Sequence, residues 1–410
     1  MTLRPSDRTD TAAPFTWQEL APARASLRLA VVTETYPPEI NGVASTLARF
    51  VGGLVERGHT VRLLRPRQPG DAPTASAAGS AGDAPELLFR GLAIPNYPNL
   101  RMGLPARRAL TTHWMRHRPD LVHIATEGPL GWSALQAALR LRIPVSSDFR
   151  TNFDAYSAHY RLGWLRSPIG AYLRRFHNRT AVTMVPTREI QDRLARAGFL
   201  RLAVVGRGVD TRLFDPARRS EALRRQWGVA PGAPVVLHVG RLAAEKNLAM
   251  LGDAFAAMRR RQPDARLVLV GDGPARTALA ARFPEAIFAG MRSGEDLAAH
   301  YASADVFLFP SLTETFGNVT LEAMASGLAV VAYDCAAAGC HLTHEQTGLL
   351  ASPDEPARLL ELACALATDP ARIERLGRAA RQSALGIGWD RRIGEFESIL
   401  LQTAATHPAG

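Results

Sequence analysis

The stretch Val306-Phe307-Leu308-Phe309-Pro310 is a short apolar run, and Ser311–Gly317 separates it from the patterned segment Val319–Ser326. A continuous apolar run bounded by turn residues predicts a buried strand, and the segment after it predicts a helix. The same order recurs along the chain. Alternating strands and helices are typical of a parallel sheet with helices on both faces, so the sequence predicts an α/β fold of doubly wound sheets.

Working outward, the same pattern predicts further elements in both halves of the chain. In the second half they are strands at Val235–Val239, Ala265–Val270, Ala286–Phe288 and Leu328–Ala332, with helices at Leu248–Arg261, Asp296–Ser303 and Pro356–Ala367. In the first half they are strands at Leu27–Thr33, Thr60–Leu64, Leu121–Ile124, Val145–Ser147 and Thr183–Pro186, with helices at Ser45–Arg57 and Leu130–Arg140. Ligands of such sheets bind beyond the carboxyl ends of the strands.

A chain of 410 residues is too long for one ordinary core, so two domains are expected. The predicted parts are a floppy leader (1–26), an N-terminal domain (27–205), a C-terminal domain (206–385), and a last helix with a tail (386–410). The leader lacks the charged-then-apolar order of a signal peptide. The amphipathic stretch Trp389–Leu401 is expected to pack back across the cleft. Residues 68–85, rich in Ala, Gly, Pro, Ser and Asp, predict a mobile loop.

The net charge of +11 is unevenly placed, with 27 Arg and 15 acidic residues in 1–205 against 22 basic and 23 acidic residues in 206–410. A basic face attracts nucleic acid, anionic lipid or an acidic substrate. Aromatic residues are not interleaved with these arginines and no nucleic-acid module motif is visible, so no nucleic-acid partner is expected. The pattern favours an anionic membrane surface or an anionic acceptor. A solvated surface without a partner is the alternative.

Cysteine content and hydropathy bear on the compartment. No apolar stretch is long enough to span a bilayer. The three cysteines, Cys335, Cys340 and Cys364, form neither a disulfide framework nor a zinc motif. The sequence therefore predicts ordinary thiols in a reducing cytoplasm, with peripheral contact at the inner face of the membrane.

Lys246 is the only lysine, whereas the other 48 basic residues are arginine. Lysine is a compact point charge and arginine a planar fork, so this position is one where arginine does not serve. Chance survival on a surface is the alternative. The segment Val239–Lys246 is the end of an apolar run, a glycine turn, and two cations, Arg241 and Lys246, five residues apart. Two cations at a strand-to-helix turn suit a pyrophosphate.

Glu314 and Glu322 follow the Val306–Pro310 run and are separated by seven residues. Asn318 between them is predicted to be the helix N-cap, which places Glu314 in the loop and Glu322 on the helix. The backbone N–H groups of residues 318–320 would then point into the cleft and suit an anion. Two glutamates at this spacing also arise by chance, so the pair alone does not identify a site.

Joined in this order, these segments resemble the signature of retaining, nucleotide-sugar-dependent glycosyltransferases of family 4, which have the GT-B fold. The segments that carry the resemblance are Thr35–Ala44, Gly206–Phe214, Gly240-Arg241, Glu245-Lys246, Gly271–Pro274 and Glu314–Glu322. The resemblance covers roughly residues 27–400. It implies two Rossmann-like domains facing across a cleft. It also implies transfer of a hexose, with mannose or glucose favoured, from a UDP- or GDP-sugar to a hydroxyl acceptor, for which a lipid or cell-envelope glycan is expected.

The resemblance also implies roles for single residues. Arg241 and Lys246 would hold the donor pyrophosphate and neutralise charge on the leaving nucleotide, and with Glu314 beside the transferred sugar they are the expected catalytic residues. Glu322 would accept hydrogen bonds from the ribose hydroxyls. The remaining donor-binding residues implied are Gly42, Gly240, Met291, Phe316, Gly317, Asn318, Val319 and Thr320. No metal or other cofactor is expected beyond the donor itself.

The acceptor or sugar side has weaker candidates, namely Asn41, His123, Glu127, Asp148 and Arg150. His123 could face the cleft or cap the sheet. Similar enzymes often carry histidine in a Tyr/Phe-His-Thr-Asn-Phe stretch, whereas this chain has Arg150 at that position. Arginine stays protonated and cannot serve as a base. In a retaining front-face mechanism the leaving phosphate itself takes the proton of the acceptor, so transfer does not require that histidine.

Two other classes of function share parts of this sequence pattern. The arginine at position 150 leaves open a nucleotide-sugar-binding scaffold or sensor that has lost catalysis. A nicotinamide-dependent oxidoreductase shares the fold type. It is excluded because no strand is followed by Gly-x-Gly-x-x-Gly opening a helix with an acidic residue some twenty positions on.

Overall fold

The computed structural model describes residues 25–39, 42–68, 71, 85–94, 97–150, 166–312, 314 and 316–406. Nearly all of the predicted leader lies outside the described residues. So do most of the predicted loop at 68–85 and the site candidate Asn41. The statements below concern the described part of the chain.

The N-terminal sheet is built from short strands that pair in parallel. Its strands are β1 (Arg28–Val32), β2 (Thr60–Pro66), β3 (Glu86–Phe89), β6 (Leu121–Ile124), β7 (Val145–Asp148), β8 (Val182–Val185) and β9 (Leu202–Val204). They lie in the order β3-β2-β1-β6-β7-β8-β9. An antiparallel pair, β4 (Gly91–Ile94) and β5 (Tyr97–Gly103), follows β3 in the chain. The strand order reverses between β1 and β6, which is where such sheets bind ligands.

The C-terminal sheet repeats this arrangement. Its strands are β10 (Val235–Val239), β11 (Arg266–Val270), β12 (Ile287–Gly290), β13 (Val306–Phe309), β14 (Ala329–Tyr333) and β15 (Leu349–Ala351). The order β12-β11-β10-β13-β14-β15 is also parallel throughout, with its reversal between β10 and β13. The predicted α/β class of two doubly wound sheets is therefore confirmed.

Helices cover the faces of both sheets. They are α1 (Gly42–Glu56), α2 (Arg107–Arg116), α3 (Pro129–Arg140), α4 (Arg166–His177), α5 (Arg188–Arg196), α6 (Glu221–Gln226), α7 (Leu248–Arg261), α8 (Arg276–Arg282), α9 (Gly294–Ala302), α10 (Asn318–Ala325), α11 (Ala336–His341), α12 (Pro356–Leu366), α13 (Pro370–Leu385) and α14 (Trp389–Thr406). Phe307 and Phe309 of β13 pack in one core, and Val306 and Leu308 pack in another. Burial on both faces is why this strand reads as a continuous apolar run.

The last helix, α14, packs on the N-terminal domain. The Phe396 ring stacks on the Phe50 ring of α1 at a centroid distance of 4.4 Å. The buried Glu397 carboxylate accepts a hydrogen bond from Arg57 Nη1 at 2.7 Å and lies 3.0 Å from His59 Nε2. Just before the helix, Gly388 forms a bridge with Val209. The chain therefore passes between the domains twice, after β9 and before α14, and these two connecting segments lie side by side.

Sequence reasoning missed some elements and misplaced one helix start. The edge strands β3 and β9 are only half-buried, so they lack a continuous apolar run. The prediction that Asn318 is the N-cap of its helix is wrong. Gly317 is the N-cap, with a left-handed φ of 87°, and Asn318 is the first helical residue. Glycine adopts this conformation without steric cost, so the chain enters the helix one residue earlier and the Asn318 side chain is not used as a cap.

Candidate active site

Two glycines hold the loop that follows β10. A Cβ at Gly271 would lie 2.0 Å from the Gly240 carbonyl oxygen, and a Cβ at Gly273 would lie 2.5 Å from the Leu242 carbonyl oxygen. Their φ values are +127° and +156°. The two loops therefore contact each other through bare backbone. These glycines serve the turn itself, and they fix the loop that carries Arg241.

Lys246 and Glu314 meet at the point where the C-terminal sheet reverses its order. The Lys246 ammonium, on the loop after β10, pairs with Glu314 Oε1, on the loop after β13. The same Glu314 oxygen accepts a hydrogen bond from Ser311 Oγ at 2.9 Å. The Lys246 and Glu314 side chains are 20% and 14% exposed. The two predicted motifs thus come together, and an anion that binds Lys246 must replace Glu314 as its partner.

The other predicted donor residues are spread along the same edge of the sheet. The Arg241 side chain is 42% exposed, and its Nη1 lies 3.6 Å from Glu245 Oε1. Exposed ion pairs of this kind are worth little, so Arg241 can reorient toward a ligand at small cost. Met291, at the carboxyl end of β12, is 60% exposed. Gly240 directly follows β10 and precedes Arg241.

The predicted residues 316–320 form the entry to α10. Phe316 is buried, whereas Asn318 and Val319 are half-buried. The buried Thr320 N–H donates back to the Gly317 carbonyl at 3.1 Å. A helix N-terminus presents N–H donors and a partial positive charge. Because it lies after β13, beside Glu314, this N-terminus can contribute to binding an anion at the Lys246 site.

Glu322 lies one turn further along α10. Its Oε2 accepts a hydrogen bond from the Tyr301 hydroxyl at 2.9 Å. Burial raises the pKa of Glu322 to about 7, although the Tyr301 hydrogen bond lowers it. The carboxyl group therefore titrates closer to neutral pH than an ordinary glutamate. Hydroxyl groups of a ligand that donate to it would favour the ionised form.

On the N-terminal side, His123, Asp148 and Arg150 form one buried cluster. Asp148 Oδ2 accepts from Arg150 Nε and lies 3.4 Å from His123 Nε2. Burial alone would raise the pKa of Asp148, but Arg150 and His123 hold it well below its ordinary value. His123 is fully buried and packs edge-on against Phe396 of α14 at 5.0 Å. His123 therefore lies inside the protein, beneath α14, where its ring contacts Phe396 and Asp148.

Arg207 is a candidate that sequence reasoning did not select. It is 5% exposed, donates from Nη1 to Asn318 Oδ1 at 3.1 Å, and lies over the Phe316 ring at 5.4 Å. A Cβ at Gly42 would lie 3.3 Å from Arg207 Nη1. Burial, and next the charge of Arg150, lowers the pKa of Arg207 to about 9. Its one sequence signal is its place within Gly206–Phe214, a segment that carries the family resemblance. No local pattern shows that Arg207 contacts both domains.

Glu127 and Glu34 lie at the reversal point of the N-terminal sheet. Glu127 Oε1 is 3.2 Å from His177 Nε2, so its carboxylate already has a partner. Glu34, which directly follows β1, accepts from the Leu130 N–H at 2.9 Å. Burial raises the pKa of Glu34 to about 7. Glu34 was missed, although a carboxyl group just beyond the first strand of such a sheet is a recognisable signal.

Three further features of the described part of the chain bear on metal, thiol and membrane sites. No group of three or more His, Cys, Asp or Glu side chains there could hold a metal ion. Cys335, Cys340 and Cys364 are free thiols. Among the described helices, none combines the length and the apolar character needed to cross a membrane.

Two family models match the chain in succession. The model described as Glycosyltransferase Family 4 matches residues 40–213, and the model described as Glycosyl transferases group 1 matches residues 233–369. A GDP-mannose-dependent alpha-mannosyltransferase of Mycolicibacterium smegmatis is 34% identical, covering 91% of this chain and 98% of that protein. The sulfoquinovosyl transferase of Arabidopsis thaliana is 30% identical, covering 94% of this chain and 75% of that protein.

Solved structures agree on the fold. Sucrose-phosphate synthase from Thermosynechococcus elongatus superposes with a TM-score of 0.75 at 19% identity, covering 92% of this chain and 99% of that one. The Anabaena protein HepE, in complex with UDP and glucose, gives a TM-score of 0.69 at 20% identity, with coverage of 92% and 99%. At these identities the likeness concerns the fold, and it is the GT-B arrangement of two Rossmann-like domains.

Proposed function

Because the chain belongs to the family-4 glycosyltransferases and is a hexosyltransferase, we propose that it transfers mannose from GDP-mannose to a lipid-linked hydroxyl acceptor. GDP-mannose is the donor in the names of several relatives at 32–34% identity, which favours it over a UDP-sugar. The acceptor class follows from relatives named for lipid products, including an alpha-monoglucosyldiacylglycerol synthase. Transfer proceeds with retention of the anomeric configuration.

The observation that carries this proposal is the contact between Lys246 and Glu314 at the reversal point of the C-terminal sheet. When the donor binds, its diphosphate replaces Glu314 as the partner of Lys246, and Arg241 turns toward it from the exposed loop. Glu314 is then free to contact the transferred sugar. Glu322 receives the ribose hydroxyls, one helical turn from the N-terminus of α10. The cations neutralise charge that develops on the leaving diphosphate, which is a large electrostatic contribution to rate.

Proton transfer is assigned to the substrate. Arg150 stays protonated, and Asp148 is held by Arg150 and His123, so neither Arg150 nor Asp148 is available as a base. The acceptor oxygen forms its bond to the anomeric carbon on the face from which the diphosphate leaves, and a diphosphate oxygen takes the proton. Closure of the two domains around the reactants excludes water. The reaction on this route requires no metal ion.

The experiment is a transfer assay with GDP-mannose and UDP-glucose as alternative donors, with diacylglycerol and octyl β-D-glucoside as acceptors. GDP-mannose is expected to give a product whose one-bond C1–H1 coupling in NMR is that of the α-linkage, at a rate unchanged by EDTA. A β-linked product contradicts retention. Nucleotide binding without transfer to any acceptor favours the alternative that the protein is a scaffold or sensor. Saturating nucleotide at about a hundred times its Kd contributes about 2.7 kcal/mol to stability, so binding is readable by thermal shift.

Peripheral membrane contact through the N-terminal domain is part of the proposal. Met115 on α2 is 71% exposed, and Arg107, Arg108 and Arg116 share that helix. An exposed apolar side chain among arginines suits an anionic lipid surface. Sedimentation with phosphatidylcholine vesicles, with and without phosphatidylglycerol, tests this. Binding should require phosphatidylglycerol and weaken with salt, whereas equal binding to both vesicles would contradict an electrostatic contact.

A further inference from the structure

A cavity opens at the edge of the C-terminal sheet that is opposite to the proposed donor site. It has a volume of about 1000 Å³ and lies where β10, β13 and β14 begin, next to Pro234, Asp305 and Gly327. The donor site lies where β10 and β13 end. Strands of this length keep the two sites roughly 15 Å apart, so one small molecule does not occupy both. The volume of the cavity suits a small-molecule ligand.

The lining of this cavity carries more positive than negative charge. Five arginines and three carboxylates contribute to it, and a fourth carboxylate, Asp215, pairs with Arg381 from outside the lining. Five positive charges against four negative charges leave one in excess. The charged lining residues are Arg219, Glu221, Arg224, Arg225, Asp305, Glu374, Arg378 and Arg381. The cavity therefore favours an anion.

Arg225 carries the charge that is in excess. Its side chain is exposed and has no ion-pair or hydrogen-bond partner among the described residues. Arg224 of the same helix is held, because its Nη1 lies 2.9 Å from Asp305 Oδ2. Arg378 pairs with Glu374, and both of these side chains are mostly exposed. Exposed pairs of this kind are worth little, so Arg378 can turn toward a ligand as Arg225 can.

An unused polar group lies in the wall of the same cavity. Ser326 is 3% exposed, and its hydroxyl oxygen is buried without a hydrogen-bond partner in the described part of the chain. A buried hydroxyl without a partner lowers stability, and a ligand that bonds to it recovers this loss. Ser326 is also the C-cap of α10, the helix that carries Glu322. A ligand at Ser326 therefore contacts the far end of a helix that belongs to the donor site.

The uncharged part of the lining is largely apolar. Arginine forks and a hydroxyl group bind phosphate oxygens, whereas apolar side chains pack against the faces of a ring. A molecule that joins a phosphate group to a ring matches both parts of the lining. The apolar residues include Pro216, Val229, Pro231, Pro234 and Ile373.

We propose that this cavity is an effector site for a small molecule that joins a phosphate group to a ring, as a nucleoside monophosphate or a sugar phosphate does. Arg225 and Arg378 supply the positive charge, and Ser326 supplies the hydroxyl group. The effector and the donor contact opposite ends of one helix of eight residues, so occupancy of the cavity alters donor affinity. By linkage, the donor alters effector affinity by the same factor.

The test measures binding of inorganic phosphate, AMP and glucose 6-phosphate to the full chain by calorimetry. Saturating GDP is present so that the donor site is occupied, and adenosine and glucose are the neutral counterparts. AMP or glucose 6-phosphate should bind about tenfold to a hundredfold more tightly than its neutral counterpart, because hydrogen bonds to a charged group are the strong ones. Failure of all three phosphate compounds to bind overturns the inference. If GDP itself does not bind, the same titrations use Lys246→Ala without GDP.

Variants assign the binding to the cavity. Arg225→Gln should weaken binding of the phosphate compound by about tenfold, and Ser326→Ala should weaken it by about fivefold. Because Arg225 is exposed, its replacement should leave the fold intact. Arg358→Gln, in an exposed pair on α12 outside the cavity, is the matched control and should bind as wild type does. If Arg225→Gln also binds as wild type does, the phosphate lies elsewhere and the inference fails.

The last measurement is the affinity for GDP with and without the phosphate compound. It should change by about fivefold or more in wild type and stay unchanged in Arg225→Gln. An unchanged affinity in wild type overturns the effector role. The results also separate this inference from the proposed function. Effector binding by a protein that transfers no sugar contradicts only the proposed function, and transfer by a protein that binds no phosphate compound contradicts only the effector site.

Discussion

Lys246 and Arg207 are both cations at the same cleft, but among the residues that the structure describes only Lys246 has a carboxylate partner. Glu314 neutralises Lys246, so an anion that binds there must exchange with a carboxylate. Arg207 is more deeply buried and has only an amide partner among the described residues. The Lys246–Glu314 pair costs the unliganded protein little stability, and an anion that binds at Lys246 competes with the Glu314 carboxylate. Burial of the Arg207 charge lowers the stability of the folded protein, and an anionic ligand that contacts Arg207 can offset this loss.

The largest expected effect concerns the paired cation. Lys246→Ala should lower kcat by about a hundredfold to a thousandfold, because charge on the leaving diphosphate is no longer neutralised. The measurement is steady-state transfer from GDP-mannose, with thermal unfolding as the check on the fold. Arg358→Ala, in an exposed pair on α12, is the matched control and should leave kcat unchanged. Full activity of the Lys246 variant would remove Lys246 from the mechanism.

The next effect concerns the buried ion pair between Arg150 and Asp148 of the N-terminal domain. Asp148→Asn leaves the Arg150 guanidinium buried without its counter-ion, which should lower the free energy of unfolding by about 4 kcal/mol. Urea denaturation measures it. Asp120→Asn removes the partner of the exposed Arg28 and should cost much less. Equal losses in the two variants would mean that burial does not distinguish these pairs.

A third effect tests the glycines of the C-terminal sheet, one of which supports the loop that carries Lys246. Gly290→Ala should cost about 1 kcal/mol, because its φ of +72° is left-handed and its Cβ has open space. Gly271→Ala adds a clash with the Gly240 carbonyl and should cost about 3 kcal/mol. It should also weaken GDP binding. If the two variants are equally stable, the contact between the loops is not tight.

The smallest expected effect is a pH dependence of the affinity for GDP-mannose that arises from Glu322. Because burial raises the pKa of Glu322 to about 7, the carboxyl is mostly protonated at pH 6 and mostly ionised at pH 8. Ribose hydroxyls donate to the ionised form, so affinity for GDP-mannose should rise by about tenfold over this interval. GDP-mannose is suitable because its diphosphate is a diester that does not titrate here. Calorimetry measures the affinity, and Glu322→Gln should show no such dependence. The same rise in that variant would assign the titration to another group.

Much of the donor side was accessible from local sequence. A continuous apolar run predicts a strand buried on both faces, and a glycine with two cations after it marks the carboxyl end of that strand. Gly240, Arg241, Lys246 and Glu314 were selected in this way, and the structure places them along one edge. The roles assigned to them remain predictions. The helix start was missed by one residue, because the conformation of Gly317 depends on the loop that surrounds it.

The N-terminal side was less accessible, because its residues come from distant segments. Asp148 ends β7 and Arg150 follows it, Arg207 follows β9, and Asn318 begins a helix of the C-terminal domain. Nothing in the local pattern shows that Arg207 lies against Gly42 or that Glu34 accepts a hydrogen bond from the Leu130 N–H. The sequence alone determined the α/β class, the two sheets and the family signature, because apolar periodicity and turn residues act over short distances. Tertiary structure alone decided which charges are paired and which are buried, because ion pairing and desolvation depend on side chains brought together from far apart in the chain.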